Sequence, residues 1–327
     1  MKLNPQIAVT MGDPSGIGPE IAIKVLSENK FPILIYGNLE ILLLTAEKLK
    51  RKVPTNKIVN TINLTKNEFD KIEYSSPSAL TGKIAFSAIE SAVKDCINKK
   101  TKALVTGPIS KLALKLAGHD WPGHTELLSY LSNPDQPPNV RMILLDESFL
   151  IVLNSVHISL KEAILSLNQD SILKTIQITN DWIESYNIIN PRFWLSALNP
   201  HAGESGLLGK EEIEVLEPAL KKARKKGINI HGPFPADTLF MQVKKMKKKF
   251  PPSDIIISLY HDQALIPFKL DGLDNGVNLT AGLPFLRTSV DHGTAFDIAG
   301  KGIASEIPLS NAIFKTQQLV NRLNDAK

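Results

Sequence analysis

The chain has 327 residues, of which 43% are hydrophobic and 22% charged, and its formal net charge is +5. This composition is typical of a soluble globular protein with two domains or one large α/β unit. Since no apolar run approaches the ~18 residues of a membrane span, we expect no membrane association.

Localisation follows from the first residues and from the single cysteine. Residues 1–5 (MKLNP) lack the apolar core of a signal peptide. Cys96 has no second cysteine to pair with, which suits a reducing compartment. We therefore expect a cytoplasmic protein. The basic runs at residues 221–226 and 244–249 contain no interleaved aromatic residues, so we interpret them as solvated faces and expect no nucleic-acid partner.

Strands and helices alternate along the sequence. Short β-branched runs predict buried strands, and apolar residues at helical spacing predict helices. The predicted strands are 7–10, 33–36, 103–105, 149–153, 193–198 and 255–259, and the stretch 53–80 is expected to be irregular. The predicted helices begin near Pro19 and after Gly123, and others span 39–52, 84–97, 160–167, 172–186 and 211–226, the last with Ile213, Leu216 and Leu220 on its apolar face. This alternation predicts an α/β fold with a mostly parallel sheet.

Three histidines, His157, His201 and His261, follow directly on predicted buried strands. If these strands share one parallel sheet, the imidazoles lie along one edge, where such sheets bind ligands. Three imidazoles with an open position form a catalytic zinc arrangement and also suit other divalent transition metals. The alternative is that each is an ordinary hydrogen-bonded loop residue.

Three turns suggest anion binding. Residues 12–20 (GDPSGIGPE) form a glycine-rich turn at a helix N-terminus, although they match neither GxGxxG nor a P-loop. Residues 106–111 (TGPISK) and 123–126 (GHTE) each combine small polar groups with a basic or imidazole side chain.

Several of these segments together resemble the PdxA family of 4-hydroxythreonine-4-phosphate dehydrogenases. The resemblance rests on segments spread over almost the whole chain: 12–20 (GDPSGIGPE), 106–108 (TGP), 123–126 (GHTE), 199–204 (NPHAGE), 235–238 (PADT), 260–263 (YHDQ) and 283–294 (LPFLRTSVDHGT). It implies a two-lobed fold like that of isocitrate and isopropylmalate dehydrogenases, with the active-site cleft between the lobes. We expect a first lobe from residues 1–128 and 283–327, and a second lobe from 129–282 that carries the metal ligands and the contacts of a homodimer.

The resemblance also implies roles for individual residues. It assigns one divalent metal, Zn, Co or Mg, to the three strand-end histidines, and a site completed at the dimer interface. The implied substrate contacts are His124, Thr125, Lys269, Asn278 and Arg287. Residues 292–304 (HGTAFDIAGKGIA) are similar to the loop that holds the adenosine end of NAD in isopropylmalate dehydrogenases, so His292, Gly293, Thr294 and Ala295 are expected to contact NAD or NADP.

The reaction implied is NAD-dependent oxidation of 4-phosphohydroxy-L-threonine followed by decarboxylation to 3-amino-2-oxopropyl phosphate, in pyridoxal phosphate biosynthesis. Asp237 and Asp262 are candidate general bases, although we favour a role for each in orienting a histidine. Related enzymes act on 4-phosphothreonate or 4-phosphoerythronate, and the sequence does not discriminate an amino group from a hydroxyl. A metal-dependent hydrolase would leave the NAD-like loop unexplained, and a basic nucleic-acid-binding protein would leave the three histidines without a role.

Overall fold

A computed structural model describes residues 6–246, 250–271 and 276–325. In chain order the first half contains β1 (Ile7–Thr10), α1 (Gly18–Glu28), β2 (Ile33–Gly37), α2 (Leu39–Lys48), β3 (Ile58–Asn60), α3 (Lys66–Phe69), α4 (Ala79–Ile97), β4 (Ala103–Thr106), α5 (Lys111–Leu116), α6 (His124–Ser132), β5 (Arg141–Leu145) and β6 (Leu150–Leu153). The second half contains α7 (Leu160–Leu165), α8 (Gln169–Ser185), β7 (Arg192–Ser196), α9 (Glu217–Lys225), β8 (Ile230–Phe234), α10 (Ala236–Lys244), β9 (Asp254–Ser258), α11 (His261–Asp271), β10 (Val277–Ala281), β11 (Leu286–Ser289) and α12 (Ile307–Asp325). None of the helices in these ranges has both the length and the apolar character required to span a membrane.

The chain forms two compact units. The first contains Met1–Pro138 together with Leu283–Asn321. The second contains Asn139–Gly282 together with Arg322–Lys327. The first unit is therefore discontinuous in sequence.

The strands of the first unit lie in the order β3-β2-β1-β4-β11, and every neighbouring pair is parallel. Ile7, Ala8 and Val9 of β1 are fully buried, as their apolar run predicts. Helix α4 packs its apolar face on this sheet, and a capping box between Ser78 and Thr81 fixes its first turn.

The strands of the second unit lie in the order β10-β5-β6-β9-β7-β8. The pairs β10/β5 and β5/β6 are antiparallel, and β6/β9, β9/β7 and β7/β8 are parallel. Strand β9 lies inside the sheet, and all five of its residues are buried. Its C-terminal end therefore opens at the same sheet edge as that of β6.

The predicted α/β class and mostly parallel sheet are confirmed. The sequence pattern did not reveal four strands, β5, β8, β10 and β11, nor the short β3 and α3 within the stretch expected to be irregular. Strand β11 shows the reason, because Arg287, Thr288 and Ser289 are polar although the whole strand is buried. A polar sequence conceals a core strand from any pattern based on hydrophobicity.

The predicted helix at 211–226 begins with a π-helical turn, Glu212–Leu216. Because a π-turn hydrogen-bonds over five residues, it rotates the following side chains away from a regular helical register. Leu216 and Leu220 are fully buried as predicted, whereas Ile213 is 46% exposed and Glu212 is only 2% exposed. The prediction that Ile213 lies on the buried face was therefore wrong.

Helices α4 and α5 approach closely at Gly82, where a Cβ atom would lie 2.0 Å from the carbonyl oxygen of Ala113. We expect Gly82→Ala to lower the free energy of unfolding by about 1–3 kcal/mol, because this overlap outweighs the helix propensity gained. Thermal and urea denaturation measure the effect. Gly293→Ala is the matched control, because a Cβ there meets no atom within 4 Å. Equal stability of the two variants would contradict the prediction.

Candidate functional site

A buried arginine forms the centre of the candidate anion site in the first unit. Arg287 lies on β11 opposite Leu104 of β4 and is 4% exposed. One of its terminal nitrogens donates a hydrogen bond to the Thr106 hydroxyl over 2.7 Å. Burial lowers the pKa of Arg287 to about 9, and the nearby Glu126 carboxylate opposes this shift. The guanidinium is therefore still charged at neutral pH.

His124 begins α6 and faces the same arginine. Its Nε2 is shielded from solvent and has no hydrogen-bond partner among the described residues. Burial first, and the positive charge of Arg287 second, lower the pKa of His124 well below 6.5. The structure thus brings together two predicted substrate contacts, a neutral imidazole and a guanidinium. This combination can hold an anion and a neighbouring hydroxyl group.

The depressed pKa of His124 has a consequence for acid stability. Between that pKa and 6.5 the unfolded chain binds more protons than the folded chain, so stability rises with pH across this window and is lost as pH falls. We expect acidification from about pH 7.5 to about pH 5 to lower the melting temperature of the parent protein more than that of His124→Asn. Over this range the free energies of unfolding of the two proteins should diverge by at most ~1.4 kcal/mol per pH unit. The exposed His231 provides the control substitution, His231→Asn. Parallel pH profiles for the parent and His124→Asn would refute the assignment.

The predicted cofactor loop packs on the glycine-rich turn of the same unit. The Ile17 amide donates to the Thr294 carbonyl oxygen over 3.0 Å. A Cβ at Gly16 would lie 2.8 Å from atoms of Thr294, so only glycine permits this approach. Ala295 has the left-handed backbone φ of 42°, and Gly293 is exposed. His292 bonds locally, from Nδ1 to the Gly293 carbonyl over 3.0 Å.

In the second unit His157 and His261 lie at the adjacent ends of β6 and β9. Their ring centroids are 5.9 Å apart, and both line a pocket of about 280 Å³. His261 Nδ1 hydrogen-bonds Asp262 Oδ1 over 2.7 Å, and a histidine held through Nδ1 can bind a ligand through Nε2. The orienting role favoured for Asp262 remains a prediction.

The third histidine occupies an unusual turn, Pro200–Gly206, after β7. His201 has φ 50° and ψ 30°, is exposed, and is not among the residues that line the pocket of His157 and His261. Within 6–246, 250–271 and 276–325, no three or more His, Cys, Asp or Glu side chains form a group that could hold a metal ion. The three-histidine ligand set remains a prediction, and its donor chemistry suits a divalent metal at the paired histidines.

The other predicted residues are distributed over both units. Thr125 is half-buried on α6, and Asn278 is half-buried on β10. Lys269 is exposed on α11, about 12 Å along the helix from His261. Asp237 is exposed in the first turn of α10. Their assignment to substrate or base remains a prediction.

Residues 23–316 match the family model described as pyridoxal phosphate biosynthetic protein PdxA. The chain belongs to the PdxA family. The 4-hydroxythreonine-4-phosphate dehydrogenase of Beijerinckia indica is 39% identical, over 95% of this chain and 94% of that protein. The D-threonate 4-phosphate dehydrogenase of Salmonella typhimurium is 36% identical, over 96% of this chain and 98% of that one.

A solved structure supports the same family. The 4-hydroxythreonine-4-phosphate dehydrogenase of Klebsiella pneumoniae superposes with a TM-score of 0.84 at 35% identity, covering 97% of this PdxA-family chain and 99% of that chain. The family resemblance read from the sequence is therefore confirmed. Family membership makes the chain an oxidoreductase of a small phosphorylated compound.

Sequence reasoning missed two residues of the anion site in this PdxA-family chain. Thr106 and Glu126 lie within the turns 106–111 and 123–126 that suggest anion binding, but neither was named as a site residue, and both act on Arg287. The signal was available in principle, because each lies within a segment that carries the family resemblance. What could not be foreseen was the pairing of β4 with β11, which brings Thr106 to Arg287.

Proposed function

We propose that this chain is a nicotinamide-dependent dehydrogenase that oxidises 4-hydroxythreonine 4-phosphate at C3. The oxidised compound then loses its carboxylate as carbon dioxide and gives 3-amino-2-oxopropyl phosphate, a precursor of pyridoxal phosphate. The observation that carries the proposal is the buried Arg287 beside a neutral His124, in a chain of the PdxA family. A buried cation and an uncharged imidazole suit a substrate that combines anionic groups with hydroxyls.

Arg287, Thr106 and His124 have different roles in this reaction. Arg287 holds an anionic group of the substrate, and Thr106 holds the guanidinium in place. His124 is neutral at pH 7, so its Nε2 can exchange a hydrogen bond with a substrate hydroxyl without adding a second positive charge. Binding energy from the phosphate orients the reacting carbon.

A nicotinamide cofactor and one divalent metal, Zn, Co or Mg, complete the proposal. A bound nicotinamide cofactor would supply a hydride acceptor, and a bound divalent metal would supply Lewis-acid polarisation of the oxygen at C3. Support for the cofactor site is the exposed Gly293 backbone in the loop that packs on the turn at Gly16, since an open glycine permits close approach of a dinucleotide. His157, His201 and His261 would hold the metal, with Asp262 orienting the last.

We also infer that the chain acts as a homodimer that completes each site. In support, apolar side chains lie exposed next to His157, among them Ile158 at 46% and Leu160 at 54%. Exposed apolar residues that are neighbours in a pocket wall are typical of surfaces covered by a partner. Sedimentation velocity at assay concentration tests this, and a monomer that retains full activity would exclude it.

The decisive experiment follows NADH absorbance on mixing purified protein, NAD and 4-hydroxythreonine 4-phosphate, with and without added divalent metal. We expect turnover that chelation abolishes and metal restores. D-threonate 4-phosphate is the second candidate substrate, because relatives 36–38% identical carry that activity in their names. A higher kcat/KM for D-threonate 4-phosphate would replace the first substrate. No NADH with either compound would exclude the proposed function.

A further inference from the structure

The turn that carries His201 adopts a backbone conformation that L-residues rarely take. Residues 201–206 all have positive φ, with values of 50°, 53°, 81°, 45°, 58° and 94°. Only two of these six consecutive residues are glycines, so the other four carry side chains in the left-handed region. Such strain persists only where neighbouring groups hold the backbone in place.

A buried carboxylate lies against this turn. Glu212 is 2% exposed, and its Oε1 accepts hydrogen bonds from the amides of Leu198 and Asn199, both at 2.8 Å. Its Oε2 accepts from Asn199 Nδ2, also at 2.8 Å. The carboxylate therefore binds both backbone and side chain at the entry of the turn. A Cβ at Gly203 would lie 2.8 Å from Oε2, so the turn itself packs on the carboxylate.

The helical turn that carries Glu212 directs this side chain into the protein interior. In the π-helical turn Glu212–Leu216, Glu212 is buried and its neighbours Ile213 and Glu214 are exposed. Glu211 adds a second contact to Asn199, accepting from Nδ2 over 2.7 Å. Single π-turns are rare and occur frequently at functional sites. In this π-turn Ile213 is exposed, and the Glu212 carboxylate packs against the turn that carries His201.

We propose that Glu212 is a positioning residue that fixes the left-handed turn and thereby aims His201 at the divalent metal. This rests on the proposed function, in which His201 is a ligand. Glu212 acts two steps from the metal, through the amides of Leu198 and Asn199 and the backbone of the turn. Partners that orient a ligand in this way contribute to metal affinity without touching the ion.

The test is Glu212→Gln, which keeps the size of the side chain. In either orientation of the new amide, an NH₂ group faces N–H donors that the carboxylate now satisfies. We expect Zn²⁺ affinity, measured by competition with a chromophoric chelator, to fall about 10- to 100-fold. We also expect a glutamate-specific protease to cleave faster after the exposed Glu204, a readout that needs no metal.

Glu214→Gln is the matched control, because Glu214 belongs to the same π-helical turn but is exposed. It should leave zinc affinity and cleavage unchanged. If Glu212→Gln does not fold, as judged by circular dichroism, Asn199→Ala removes a donor to the same carboxylate and should shift both readouts in the same direction.

The outcomes separate this inference from the proposed function. Parent-like zinc affinity and cleavage in Glu212→Gln and Asn199→Ala would overturn the positioning role alone. Parent protein that binds no Zn²⁺, Co²⁺ or Mg²⁺ would overturn the proposed metal and this role together. In that case faster cleavage after Glu204 in Glu212→Gln would still assign the anchoring of the turn to Glu212.

Discussion

Replacing Arg287 with glutamine is expected to lower kcat/KM for the phosphorylated substrate by about 10- to 150-fold. This corresponds to the roughly 1.5–3 kcal/mol that a charge-assisted hydrogen bond contributes to the transition state. Arg287 is 4% exposed, and its guanidinium donates a hydrogen bond to Thr106. The guanidinium is therefore held in place before the substrate binds. Steady-state NADH formation measures the effect.

The controls address both charge and folding. Arg51→Gln removes one positive charge from an exposed position of the same unit and should leave kcat/KM unchanged. Because Arg287 is buried, its variant is assayed well below its own melting temperature. The loss should shrink for the substrate analogue without phosphate, since the deleted cation then has less to hold. An Arg287→Gln variant that discriminates between the two compounds as well as the parent does would refute the anion site.

Substitution of His261 by alanine is expected to reduce Zn²⁺ affinity more than Asp262→Asn does. For Asp262→Asn we expect a reduction of about 10- to 100-fold. The reason for this order is that His261 would bind the ion, whereas Asp262 only fixes the ring through Nδ1. Both variants should remain folded, because the side chains of His261 and Asp262 are 36% and 72% exposed and neither belongs to the buried core. Chelator competition gives the affinity, and thermal melting confirms the fold.

His231→Ala is the matched control for this series. His231 is an exposed histidine of the same unit, on β8, and hydrogen-bonds Asn229 instead of lining the pocket. Its zinc affinity should equal that of the parent. If His261→Ala and His231→Ala bind zinc equally, the strand-end histidines do not form the metal site. If Asp262→Asn loses more than His261→Ala, the carboxylate rather than the imidazole is the ligand.

The part of the fold that the sequence predicts correctly consists of strands with uninterrupted apolar runs. Strands β1, β2, β4, β6, β7 and β9 lie where the hydrophobic pattern predicts them, within a few residues. Strand β11 was missed because three of its four buried residues are an arginine, a threonine and a serine. Burial of polar groups depends on partners such as Thr106 that are remote in sequence, which local hydrophobicity does not register.

The candidate site was predictable to a similar degree. Position after a strand was enough to predict that His157 and His261 lie close together, because parallel strands β6 and β9 end at one edge. The left-handed turn at His201 could not be predicted, since Ala202, Glu204 and Ser205 have no preference for positive φ. Glu212 was also missed, because the sequence pattern was interpreted with a regular helical period and the chain instead forms a π-turn.

The discontinuity of the first unit determines when its anion site can exist during synthesis. Arg287 of β11 pairs with Leu104 of β4, although residues 139–282 of the second unit lie between these two strands in the sequence. When only the N-terminal segment of the first unit, Met1–Pro138, has been synthesised, β1 to β4 are present and β11 is not. Contacts of such long sequence separation form slowly and late. We therefore expect nascent chains that end before residue 283 to leave the edge of β4 unpaired and available to chaperones, and substrate binding to appear only after Leu286–Ser289 has been synthesised.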